Sequence, residues 1–169
     1  MVGEYGLGKD KTVAILNTLA DFKDVQVIAI AGKNEKLKEA FEKVVKEKNR
    51  ENEIKVFPFT SMVPELMSIA DLVITKPGGL TTSESLASAL PLIVINPIPG
   101  QEEENAEFLE ESGCGVWLKK NDDVETILSS VIENNEKLKS MKENSIKLAK
   151  PNSTEDICRI IFDYNNFGG

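Results

Sequence analysis

Short apolar runs alternate along this chain with stripes of helical period. Residues 25–31, 54–57, 72–75, 92–96 and 115–118 are runs rich in Val, Ile and Leu, and they read as buried strands. Runs that are apolar throughout fit strands covered on both faces. Helical stripes lie between them. Leu37, Phe41, Val44 and Val45 share one face after a cap at Asn34, and Val124, Ile127, Leu128, Val131 and Ile132 do so after Asp122 and Asp123. Ile157, Ile160, Ile161 and Tyr164 form a last stripe, with Ser153 and Asp156 spaced as a capping box. Residues 9–21 read as a first helix. Pro64 opens a short helix through Ala70, and Gly113 closes another as a C-terminal cap. Strand, helix, strand, repeated, predicts an α/β fold: a Rossmann-like parallel sheet with helices on both faces, in three layers.

Composition narrows the chemistry. The 169 residues make one domain, and 41% hydrophobic content fills its core. Residues 1–164 read as that domain and 165–169 as a frayed tail. The formal net charge of −8 disfavours a nucleic-acid partner and unaided binding to an anionic membrane. There is no histidine, which removes the commonest general base and, with two scattered cysteines, argues against a metal site. Cys114 and Cys158 read as small buried hydrophobes in a reducing, cytoplasmic setting. No signal peptide and no apolar run of membrane-spanning length stands out. Met1-Val2-Gly3 reads as the end of a strand, which implies that the chain is cut from a longer protein.

Ligands of an open parallel sheet lie beyond the carboxyl ends of its strands, so the residues after each strand carry the functional reading. Gly3, Gly6 and Gly8 form a glycine-rich turn that is either a phosphate contact or merely a tight bend. Their spacing is not GxGxxG, which disfavours a nicotinamide dehydrogenase. Phe59 and Thr60 are either loop core or the frame of a flat base. After residues 72–75 comes Lys76-Pro77-Gly78-Gly79-Leu80-Thr81-Thr82-Ser83-Glu84. Two glycines let a ligand approach the backbone, at a positive helix end. Glu84, expected in that helix's first turn, either grips both hydroxyls of a ribose or completes a Thr81-x-x-Glu84 capping box. After residues 92–96 comes Pro97-Ile98-Pro99-Gly100-Gln101-Glu102-Glu103-Glu104-Asn105. The glutamates complement the helix dipole. Gln101 and Asn105, four apart, share a face that suits a polyhydroxyl ligand.

These two motifs at their mutual spacing, with Ser112-Gly113-Cys114-Gly115 after them, resemble the C-terminal domain of GT-B glycosyltransferases. The group resembled makes monogalactosyl- or glucosyl-diacylglycerol; the lipid II N-acetylglucosaminyltransferase of peptidoglycan synthesis is more distant. The resemblance implies a UDP-sugar donor, UDP-glucose or UDP-galactose, and inversion at the anomeric carbon without cofactor or tightly bound metal. It implies that Glu84 holds the ribose, and that Gly78, Gly79 and Thr81 line the diphosphate with Tyr5 and Gly6. Phe59 and Thr60 would frame the uracil; Gln101, Glu102 and Asn105 would face the sugar. No catalytic residue is expected in this chain. The general base and the lipid acceptor site would belong to a separate N-terminal domain, and the whole enzyme would sit peripherally on the inner membrane face. Two rivals remain: the donor domain of a UDP-N-acetylglucosamine-dependent GT-B transferase, and a non-catalytic nucleotide-binding α/β module.

Overall fold

The computed structural model describes residues 9–166. In chain order these form α1 (Lys9–Leu19), β1 (Val27–Ile30), α2 (Glu35–Glu47), β2 (Ile54–Phe57), α3 (Val63–Ile69), β3 (Val73–Thr75) and α4 (Gly79–Ala87). Then follow β4 (Leu92–Ile95), α5 (Gln101–Glu111), β5 (Gly115–Leu118), α6 (Val124–Ile132), α7 (Asn135–Leu148) and α8 (Ser153–Asn166). All strand pairing among the described residues is parallel, in the ladders β1-β2 and β3-β4-β5. Ile30 pairs with Phe57, Thr75 with Val94, and Ile95 with Leu118, so the strand ends lie level within each ladder. The strand read at Met1–Gly3, and with it Tyr5 and Gly6, lies outside the described residues.

β4 shows why this is a three-layer fold. All four of its residues are buried, and they alternate between two cores. Ile93 and Ile95 pack with Ile15 and Leu19 of α1, Leu128 and Val131 of α6 and Met141 of α7. Leu92 and Val94 pack on the other side with Leu86 of α4 and Ala106 and Leu109 of α5. A strand's side chains alternate faces, so a continuous apolar run is what two helix layers require. A third core joins Leu16 and Ala20 of α1 to Leu37, Phe41, Val44 and Val45 of α2, over β1 and β2. Neighbouring residues of α1 thus serve both ladders. Arg50 secures the exit from α1, donating to the carbonyls of Ala20, Phe22 and Val25 at 2.9–3.1 Å.

Helix ends follow local chemistry. Asn34 and Asp123 cap α2 and α6 as expected, accepting from the Leu37 and Thr126 N–H groups at 3.1 and 2.8 Å. The α5 terminus is a Schellman turn: Cys114 N–H reaches the Leu109 carbonyl and Gly113 N–H the Glu110 carbonyl. Gly113 has φ +66°, and a Cβ there would stand 2.9 Å from Asn144 Nδ2, which donates to its carbonyl. Gly113→Ala should therefore cost about 1–2 kcal/mol from left-handed backbone strain. Thermal melting is expected to fall by roughly 2–8 °C, and an unchanged melting temperature would refute the strain.

Four expectations are corrected. α7 was not anticipated. Its buried stripe is short of apolar residues: Met141 and Ser145 are buried, while Ile146 is exposed. It packs on α4 and α6 and fastens the strand starts, with Ser145 Oγ donating to the Leu90 carbonyl at 3.5 Å and to the Met141 carbonyl at 3.0 Å. The α8 stripe is helical but covered by no core: Ile157, Ile160, Ile161 and Phe162 are each more than half exposed. Ser153 begins α8 as a helical residue rather than standing before it as a cap, and the Asn152 carbonyl receives the Asp156 N–H. Cys158 is exposed on α8 rather than buried, whereas Cys114 is buried, and burial raises its thiol pKa. Among the described residues no helix is long and apolar enough to cross a membrane.

Candidate functional site: the loops after the strands

Within each ladder the residues following the strands lie at its carboxyl edge: those after β1 and β2 in one, those after β3, β4 and β5 in the other. After β1, Gly32 turns the chain at φ +65°, and Lys33 Nζ lies 5.9 Å from the Phe59 ring centroid. Phe59, after β2, is 63% exposed. It is no core aromatic, so the packing alternative falls, and a flat face with an ammonium beside it remains open to solvent. Thr60 is half-buried, and its hydroxyl accepts from the Met62 N–H at 3.1 Å, shaping the entry to α3.

The loop after β3 departs from the capping-box reading. α4 begins at Gly79 with Gly78 as its N-cap, three residues earlier than Thr81-x-x-Glu84 requires. Glu84 is therefore in the second turn rather than the first, exposed, and its carboxylate has no partner among the described residues. Among the described residues no side chain caps α4, and its first backbone bond runs from Thr82 N–H to the Gly78 carbonyl. The N–H groups of Gly79, Leu80 and Thr81 precede that bond, which leaves three donors at a positive helix end. α2, α6 and α7 each carry a side-chain cap instead. Pro77 is fully buried, Gly78 and Thr81 are half-buried, and Gly79 is exposed.

The loop after β4 is tied to this one by side chains. Asn105 Nδ2 donates to the Pro77 carbonyl at 2.8 Å, so its amide nitrogen pins the loop that precedes α4. Glu102 Oε2 accepts from the Ile98 N–H at 2.7 Å and pairs with Lys76 Nζ at 3.2 Å. Gly100 holds φ +97° and ψ −126°, a conformation open to glycine, and its N–H reaches Glu103 Oε2 at 3.4 Å. Gln101, the first residue of α5, is exposed. Asn105 is half-buried, so the two amides four apart do not have the same surroundings.

One residue at this edge escaped sequence reasoning. Lys11, in the first turn of α1, donates to the carbonyls of Leu118 and Lys119 at 2.9 and 2.8 Å, which fixes the start of α1 against the end of β5. Burial lowers its pKa, and Asp122 opposes that shift. A lysine in a helix's first turn opposes the dipole, and that misfit was the available signal. An open groove along α6, lined by Thr126, Ser130 and Asn134 among others, includes none of the residues singled out after β2, β3 and β4.

Known proteins share this fold. The glycosyltransferase family 28 C-terminal domain matches residues 10–157. The chain is 31% identical over 166 residues to the processive diacylglycerol beta-glucosyltransferase of Bacillus pumilus, covering 98% of this chain and 43% of that protein. The enzymes of the same name from Bacillus subtilis and Staphylococcus aureus are 34% and 36% identical, covering 93% and 95% of this chain and 40% of each relative. The chain thus spans about two fifths of the length of these curated relatives. In fold it is similar to Acinetobacter baumannii MurG, with TM-score 0.73 at 21% identity over 95% of this chain and 47% of that one. It is also similar to Anabaena Alr3699/HepE in complex with UDP and glucose, with TM-score 0.66 at 17% identity over 95% and 47%. With the sequence match running from α1 into α8, the chain belongs to the glycosyltransferase family 28 C-terminal domain family and folds as the C-terminal domain of a GT-B glycosyltransferase.

Proposed function

We propose that this chain is the UDP-sugar-binding domain of an inverting transferase that moves a hexose, glucose or galactose, to a diacylglycerol-type lipid. The observation that carries the reading is α4, a helix whose N-terminus carries no side-chain cap and whose second-turn carboxylate, Glu84, is unpaired among the described residues. Backbone N–H groups at a helix start suit a diphosphate. A free carboxylate accepts from two vicinal hydroxyls, as a ribose offers. Gly78, Gly79 and Thr81, with Tyr5 and Gly6, would line the diphosphate. Phe59 and Thr60 would frame the uracil, and Gln101, Glu102 and Asn105 would meet the hexose. The diacylglycerol acceptor is supported by relatives at 31–36% identity, and a UDP-linked donor by fold neighbours solved with UDP and UDP-glucose.

In this reading the positive end of α4 stabilises the departing UDP, since preorganised dipoles aimed at developing charge lower the barrier without reorganising. The general base and lipid site would lie in an N-terminal domain, and the whole enzyme would act peripherally at the inner membrane face. This chain alone would bind donor weakly and transfer nothing. Calorimetric titration with UDP, ADP and NAD tests the class. UDP is expected to bind at least about tenfold more tightly than ADP, or roughly 1.4 kcal/mol. A preference for ADP or NAD would overturn the reading.

A further inference from the structure

Glu102 is gripped by one oxygen. Its Oε2 takes both the Ile98 N–H, at 2.7 Å, and Lys76 Nζ, at 3.2 Å. Lys76 follows β3 and Ile98 follows β4, so adjacent strand ends hold the same atom. The two side chains are only 24% and 22% exposed, which separates this pair from a solvated surface contact. The other oxygen, Oε1, has no hydrogen bond among the described residues and lies 4.0 Å from where a Cβ on Gly78 would stand. A carboxylate held this way offers its second oxygen in a fixed direction, and as an acceptor only.

We propose that Lys76 is a positioning residue for hexose recognition, acting through Glu102 to aim Oε1 at a hydroxyl of the donor sugar. The proposal rests on the donor-domain reading above. One physical effect makes the lysine necessary. Without it, the glutamate side chain regains rotamer freedom that must be lost again when the sugar binds. The ammonium holds one oxygen and leaves the other free. Lys76 thereby couples the loop after β3, which meets the diphosphate, to the helix that meets the sugar.

The test compares UDP with UDP-glucose on the 169-residue chain and its Lys76→Met, Lys76→Arg, Glu102→Gln and Lys76→Met/Glu102→Gln variants. Lys76→Met is expected to weaken UDP-glucose binding about tenfold while changing UDP binding less than about twofold, the scale of one charge-assisted hydrogen bond. Lys76→Arg should recover most of the loss, because a cation of similar reach remains. The double variant should bind UDP-glucose no worse than Glu102→Gln alone, since the lysine acts only through the carboxylate. Retained UDP binding shows that the variants are folded. Equal losses for UDP and UDP-glucose in Lys76→Met would overturn the proposal and assign Lys76 to the diphosphate itself. Unchanged affinity for both would reduce the pair to a structural contact. If the unmodified chain binds neither ligand, the donor-domain reading itself has failed, a result separable from either of these.

Discussion

Replacing Glu84 with alanine should weaken UDP binding by roughly 1.5–3 kcal/mol, the value of a charge-assisted hydrogen bond in a binding site. The melting temperature should hardly move. Glu84 is exposed, forms no cap and has no partner among the described residues. Alanine is at least as good a helix former as glutamate, so α4 loses nothing locally. That combination makes the experiment sharp. A residue kept for folding would show a stability cost, and this one has no contact through which to exert it. Calorimetry with UDP and thermal melting of the same variant decide the matter. Full UDP affinity with a depressed melting temperature would return Glu84 to a purely structural role.

The largest expected stability effect lies in β4. Ile93→Ala should destabilise the chain by about 2–5 kcal/mol, from lost transfer energy and the cavity left behind. The corresponding fall in melting temperature is on the order of 4–20 °C. Ile93 is fully buried in the core where α1, α6 and α7 meet the sheet. Its neighbour Leu92 faces the opposite core with α4 and α5. A cavity at Ile93 would open in a core shared by three helices, so no single helix shift refills it. Denaturant unfolding would measure the loss, and a cost under 1 kcal/mol would mean that this core relaxes far more freely than its packing suggests. UDP binding should survive in the folded fraction, because the site is built from loops beyond the strand ends.

Much of this was legible in residues near one another in sequence. The five strand runs were located, two of them with unchanged bounds, because a strand buried on both faces must be apolar at consecutive positions. Asn34, Asp123 and Gly113 marked helix ends, since caps are local hydrogen bonds and a local positive φ. α7 escaped because Ser145 takes a core position, its hydroxyl satisfied by the Leu90 and Met141 carbonyls. The start of α4 was misplaced because Thr81 is a better cap than Gly78 by propensity. In the fold, buried Pro77 and the Asn105 bond to its carbonyl set the chain's entry three residues sooner. That bond joins residues 28 apart, and periodicity carries no information about it.

The sequence by itself determined that this chain is a parallel α/β domain, and it singled out the segment from Lys76 to Asn105 as the place to expect a ligand. Hydrophobic period, caps and turn residues are short-range properties, and they are written where they act. Only the tertiary structure decided what that segment's side chains do. It freed Glu84 from the cap, left α4 open at its start, and set Lys76 on one oxygen of Glu102. It also left the α8 stripe uncovered, since amphipathic period specifies an apolar face but not what packs on it. The reason is geometric. β3 and β4 pair in parallel, so their carboxyl ends lie side by side, and loops distant in sequence meet across one strand spacing.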